Sequence, residues 1–165
     1  MPKTINILIV EKEPEEIEKL KLIINSEFSG IKETQDNNLE ISIQSATGIS
    51  GAISELESLY NKEKKLHDMI VLDYIHYDKY AVRLDSHDFA MILKKERKYK
   101  RLQRILEENK QIIYIIGNSF VFCGGRELSE NAFKGRIYAA LNPLMKDYAK
   151  RFEEAVRGAF TRIIE

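Results

Sequence analysis

The sequence lacks most of the features that would commit a chain to a special environment. It holds one cysteine, Cys123, which excludes an internal disulfide and suits a reducing compartment. No apolar run approaches the roughly 18 residues that a membrane span needs. No secretory signal precedes the first strand-like segment, so the expectation is a soluble, cytoplasmic protein without membrane partners. Excess charge of either sign is also missing: Lys+Arg and Asp+Glu are both 26. No overall field would draw the chain to nucleic acid, and nucleic acid is not an expected partner. Repeats and low-complexity tracts are absent, and the most loop-like stretch, residues 34–38, is short enough to be a simple connection.

What remains is ordinary globular composition, 44% hydrophobic and 32% charged over 165 residues. That length fits one domain, residues 1–165, with a core that needs no staples. The run Met69-Ile70-Val71-Leu72, set between Asp68 and Asp73, reads as a strand buried on both faces. Ile5 to Val10 is apolar except for Asn6 and reads as another, ending at Glu11-Lys12-Glu13. Pro14 opens a helix with Glu15 and Glu16 at its positive end, and Ile17, Leu20, Ile23, Ile24 and Phe28 share one face. Leu39, Ile41 and Ile43 alternate with polar residues, as in a strand near a sheet edge. A helix follows from about Ser50 to Lys62.

Beyond Asp73 the reading continues with an irregular segment, Tyr74 to His87, and one long helix from about Asp88. That helix carries Phe89, Ile92, Leu93, Tyr99, Leu102 and Leu106 at helical spacing. Ile112–Ile116 is a fourth strand, closed by Gly117-Asn118-Ser119. A short helix near 127–133, a fifth strand Arg136–Leu141 stopped by Asn142-Pro143, and a last helix from about Lys146 to Ile163 complete the chain. Strictly alternating strands and helices predict an α/β, flavodoxin-like, doubly wound five-stranded parallel sheet in the order 2-1-3-4-5, with helices on both faces. That order sets the ends of strands one and three side by side and gathers Glu11, Lys12, Glu13 and Asp73 in one crevice.

Three segments, in this order, resemble the receiver domain of bacterial two-component response regulators. They are Ile7-Leu8-Ile9-Val10-Glu11-Lys12-Glu13-Pro14, Asp68-Met69-Ile70-Val71-Leu72-Asp73 and Leu141-Asn142-Pro143-Leu144. The resemblance covers the chain from Ile5 to about Ile163. It implies that Asp73 is the phosphoacceptor candidate and that Glu11, Glu13 and Asp73 form an acidic pocket. It also implies that Mg²⁺, if it binds, is held by Glu11 and Asp73 to neutralise the phosphoryl oxygens. By the same resemblance Gly117, Asn118, Ser119, Asn142 and Pro143 occupy the switch and phosphate-pocket positions, and the Asn142-Pro143 bond is expected to be cis.

The departures from that pattern are chemical. The second first-strand acid, usually the direct metal ligand, is Lys12. The strand-four hydroxyl position is Gly117, and the strand-five lysine position is Asn142. Lys12 either pairs with Asp73 in place of the metal, fixing one conformation, or points into solvent with its stem on the loop. The resulting expectation is an atypical, pseudo-receiver-like signalling domain that needs no cofactor and whose phosphorylation at Asp73 is impaired or absent. Its expected partners are proteins: a histidine kinase, an output domain or a second copy. One alternative is a working Mg²⁺-dependent phosphoacceptor in a phosphorelay, whose sole reaction is self-phosphorylation at Asp73 from a donor. The other is a metal-dependent phosphotransfer enzyme, against which stands Ile75, where a second carboxylate two residues after Asp73 would be needed.

Other features read more plainly. The region of about 74–110 is enlarged relative to a receiver. Its residues Tyr74, His76, Tyr77, Tyr80 and His87 either cover the crevice and meet partners or form a locally packed loop. The basic run Lys94 to Arg104 is expected to be a solvated outer helix face. Cys123 is expected to be a packed thiol, Gly124-Gly125 a turn. Tyr138 lies near the position where receivers place a switch aromatic.

Overall fold

The computed structural model describes residues 2–11, 13–34, 38–72, 76–77, 83–84, 96–117, 137–141 and 146–165. Its main sheet has five parallel strands, β1 (Lys3–Val10), β2 (Leu39–Ala46), β3 (Met69–Leu72), β6 (Ile113–Gly117) and β7 (Ile137–Leu141), in the order β2-β1-β3-β6-β7. Counting these strands alone, the order is the expected 2-1-3-4-5, and the fold is the flavodoxin-like doubly wound one. The α-helices among the described residues are α1 (Pro14–Thr34), α2 (Ile49–Glu63), α3 (Lys100–Glu108) and α4 (Tyr148–Ile164).

Strand alternation divides the core into two layers. Ile5, Ile7, Ile9, Met69, Val71, Ile113 and Ile115 face α1 and α4. Leu8, Val10, Ile70, Leu72, Tyr114 and Ile116 face α2 and α3. This explains why β3 reads as an unbroken apolar run and β1 as one broken only by Asn6, since both faces of each central strand are covered. Asp68 knits the amino-terminal ends together. Its backbone N–H donates to Asn6 O at 2.8 Å, its Oδ2 accepts the Asn6 N–H at 2.8 Å, and its carbonyl accepts the Ile113 N–H at 3.0 Å.

Each helix follows from its apolar stripe. In α1 the stripe is Ile17, Leu20, Ile24, Phe28 and Ile31, with Glu15 and Glu16 in the first turn and Lys32 in the last. The Glu13 carbonyl accepts the Ile17 N–H at 3.0 Å, so the helix starts where Pro14 predicted. Ala52, Ile53, Leu56 and Leu59 carry α2, which stops at Lys64 in the left-handed conformation, φ 57°, with its N–H on Tyr60 O. The α1–α4 seam joins the Phe28 and Phe160 rings, 5.8 Å apart. Above it lies a two-pronged pair, Arg157 Nε to Glu27 Oε2 at 2.9 Å and Arg157 Nη2 to Glu27 Oε1 at 3.1 Å. Because Arg157 is largely exposed, Arg157→Ala is expected to cause only a small loss of stability, one that fades in high salt. Thermal melts with and without added salt check this.

Two expectations are corrected. The helix expected from about Asp88 to Leu106 is not continuous. Glu96 is extended (φ −81°, ψ 120°), Arg97–Tyr99 is a single 3₁₀ turn, and α3 begins only at Lys100. Leu102 and Leu106 do face the core, but the extended residue at Glu96 breaks the ladder that helical spacing alone would continue. The irregular segment after Asp73 contains a second, antiparallel ribbon, β4 (His76–Tyr77) paired with β5 (Arg83–Leu84). Strands of two residues are too short to show a period.

Candidate functional site

The carboxyl edge of the sheet is set by register. Val10 lies opposite Leu72, Leu72 opposite Ile116, and Gly117 opposite Leu141. Four neighbouring strands therefore end together, in the crevice where open α/β folds keep their chemistry. Gly117, read from the sequence as the stop after strand four, is instead the last paired residue of β6.

Glu11 follows β1 at this edge and is buried. Its N–H donates to Ala46 O at 3.0 Å, extending the β1–β2 ladder by one residue. Its Oε1 accepts the Glu13 N–H at 3.1 Å. The carboxylate thus ties down the residue whose carbonyl opens α1, and it fixes the β1–α1 turn. Glu13 itself is exposed. Two of the three acids of the expected pocket therefore sit in different surroundings, Glu11 under the sheet edge and Glu13 in solvent. Lys12, Asp73, Asn118, Ser119, Asn142 and Pro143 lie outside the described residues, as do Cys123, Gly124, Gly125, the 127–133 helix and the Asn142-Pro143 bond. Among the described residues no group of three His, Cys, Asp or Glu side chains converges in a way that could hold a metal.

Tyr138 has a definite seat. The β6–β7 register passes from Tyr114 opposite Ile137 to Ile115 opposite Ala139, leaving Tyr138 as an extra residue in a β-bulge. The bulge lets Tyr138 and Ala139 both pack toward the α1–α4 layer. The Tyr138 hydroxyl rests against Gly158 of α4, in the space a Cβ would fill. On the other face, Arg97, Lys98, Lys100, Arg101 and Arg104 are exposed while Leu102 is buried. That part of the basic run is a solvated helix face. Lys98 Nζ lies 5.0 Å from the Tyr99 ring, and the Arg101 guanidinium 5.9 Å from the Tyr60 ring.

Sequence reading missed a polar cluster under α2. His67 is fully buried, and its Nε2 lies 2.6 Å from Gln44 Oε1. Burial pushes its pKa down to about 4, against a smaller opposing pull from the Glu63 charge. The ring is therefore neutral at ordinary pH and donates Nε2–H to the Gln44 carbonyl oxygen. Gln44 Nε2 in turn reaches Ser42 Oγ at 3.4 Å. Asn6, the one polar residue in the apolar run of β1, is buried beside them. Its place in an otherwise apolar strand was the available signal.

No helix among the described residues is long and apolar enough to cross a membrane. No protein-family model matches the chain, and no curated protein matches it. Among solved structures the chain is similar to a bacteriophytochrome response regulator, with 15% identity, 96% of each chain covered and a TM-score of 0.48. Likeness at that level carries no argument about activity, and the fold assignment rests on strand order and register.

Proposed function

We propose that the chain is an atypical receiver-like signalling domain that works through protein–protein contacts, with phosphorylation of Asp73 impaired or absent. The observation that carries this reading is the pairing of β1 with β3, Val10 opposite Leu72, with the buried Glu11 carboxylate next after Val10. Asp73 is the residue after Leu72 in the chain, so an acid follows each of two adjacent strands at the edge where this fold class does its chemistry.

The described donors at that edge, Glu11 and Glu13, are a poor fit for Mg²⁺. A hard cation of this kind needs oxygen ligands at near-octahedral positions. Here Glu11 already accepts the Glu13 amide, Glu13 is exposed, and the residue between them is a lysine. By the resemblance, Lys12 stands where receivers carry a metal-binding acid, and Asn142, where receivers carry a lysine, leaves a transferred phosphoryl group without its usual counter-charge. The partner is a kinase, an output domain or a second copy of the chain, engaged through the face that the receiver resemblance implies: strands four and five, the helix expected near 127–133 and the last helix. Nucleic acid is not proposed, because the described part of the basic run is a solvated face opposite buried leucine.

With acetyl phosphate and Mg²⁺, the intact mass is expected to stay unchanged, and Mg²⁺ titration is expected to leave the Glu11 resonances in place. A phosphoryl adduct that disappears in the Asp73→Asn variant would replace this reading with that of a working phosphoacceptor.

A further inference from the structure

A second site, independent of the carboxyl edge, lies toward the amino-terminal ends of β1 and β3. A sheet face covered by helices is normally apolar. On the α2 side of this sheet, however, Thr4 of β1 stands opposite Glu40 of β2, and Asn6 opposite Ser42. Thr4, Asn6 and Ser42 from these rows are part of the floor of a groove of about 540 Å³, walled by Glu55, Ser58 and Lys62 of α2. Small-molecule sites have volumes of roughly 300–1,000 Å³.

The floor is organised around donors. Asn6 is only 4% exposed, and its buried Nδ2 has no acceptor among the described residues. The Asp68 carboxylate beside it accepts the Asn6 backbone N–H at 2.8 Å instead. A buried donor left without an acceptor is destabilising, and an apolar side chain of similar size would remove that penalty. His67 fixes the Gln44 amide from below, so Gln44 presents its NH₂ toward Ser42. At the rim, Glu63 lies 3.5 Å from Lys65, so the pair offsets its own charge and Lys62 is the remaining cation of α2. Glu55 on the same wall and the Asp68 carboxylate on the floor repel a bare anion and favour a ligand that also carries a polar or cationic group.

We propose that this groove binds a small solute bearing an oxyanion, a carboxylate or a phosphate, whose oxygen accepts from Asn6 Nδ2 while Lys62 meets its charge. The site is separate from the carboxyl edge of the sheet and does not depend on the receiver reading.

Titration of the full chain with inorganic phosphate and with succinate, followed through the Asn6 side-chain NH₂ resonances, tests it. Sodium chloride at matched ionic strength is the control. A saturable shift is expected with at least one probe, and the probe that works distinguishes phosphate from carboxylate chemistry. Asn6→Leu is expected to raise Tm without ligand and to abolish ligand-induced stabilisation. Lys62→Gln, an exposed change that leaves the floor intact, is expected to weaken binding about tenfold. Shifts that sodium chloride reproduces, shifts that never saturate, or affinity unchanged in Lys62→Gln would each overturn the proposal.

Discussion

Acidification from about pH 7.5 to 4.5 is expected to remove about 2.5 kcal/mol of folding stability through His67 alone. The imidazole is fully buried, and burial holds its folded-state pKa near 4. In the unfolded chain the same ring titrates at its ordinary value of about 6.5. Between those two values the unfolded state carries a proton that the folded state refuses. Stability is therefore fully present above about pH 6.5, falls by roughly 1.4 kcal/mol per pH unit, and levels off below about pH 4. Urea unfolding at a series of pH values reads the slope directly. Carboxylates also titrate near the lower end, so the decisive comparison is with His67→Gln, which has no ionisable ring. The variant is expected to lose most of the slope between pH 6.5 and 4.5. Equal slopes in the two proteins would mean that the ring gains its proton without opening the fold.

His67 also marks where the sequence stopped being informative. The central strands were legible because their apolar runs are continuous, and a strand with both faces buried leaves no polar alternation to confuse with anything else. Pro14, with Glu15 and Glu16 behind it, fixed the start of α1 for equally local reasons. The polar cluster of Asn6, Gln44 and His67 belongs to three separate segments, and only the β2-β1-β3 order brings them together. Taken singly, each looked like an exception in an apolar stretch or a polar residue of an edge strand. The long helix failed for the opposite reason. Phe89, Ile92 and Leu93 repeat at a helical period with Leu102 and Leu106, and a period carries no mark of the extended residue at Glu96. At the carboxyl edge, the position of Glu11 at the end of β1 was readable, but its contact was not. Apolar run lengths gave no hint that its Oε1 would take the Glu13 amide and hold the turn into α1.

Gly158→Ala is expected to destabilise the protein by about 1–2 kcal/mol, against the usual rule. In a helix interior alanine is normally favoured over glycine by about 1 kcal/mol, and Gly158 lies well inside α4. The reversal comes from Tyr138, whose hydroxyl fills the position of the missing Cβ. The bulge in β7 puts it there, because the extra residue turns Tyr138 and Ala139 to the same side of the sheet. Removing the hydroxyl should release the clash. The next atom of that ring, Cζ, would lie 3.2 Å from an added Cβ, a distance that a shift of a few tenths of an ångström relieves. Gly158→Ala combined with Tyr138→Phe is therefore expected to recover most of the loss, with a coupling of about 1 kcal/mol in a double-mutant cycle. Additive effects of the two substitutions would show that the ring moves aside freely. Strong coupling would mean that the Tyr138 ring is wedged under α4, so that any shift of β7 against α4 would have to displace the helix along with the ring.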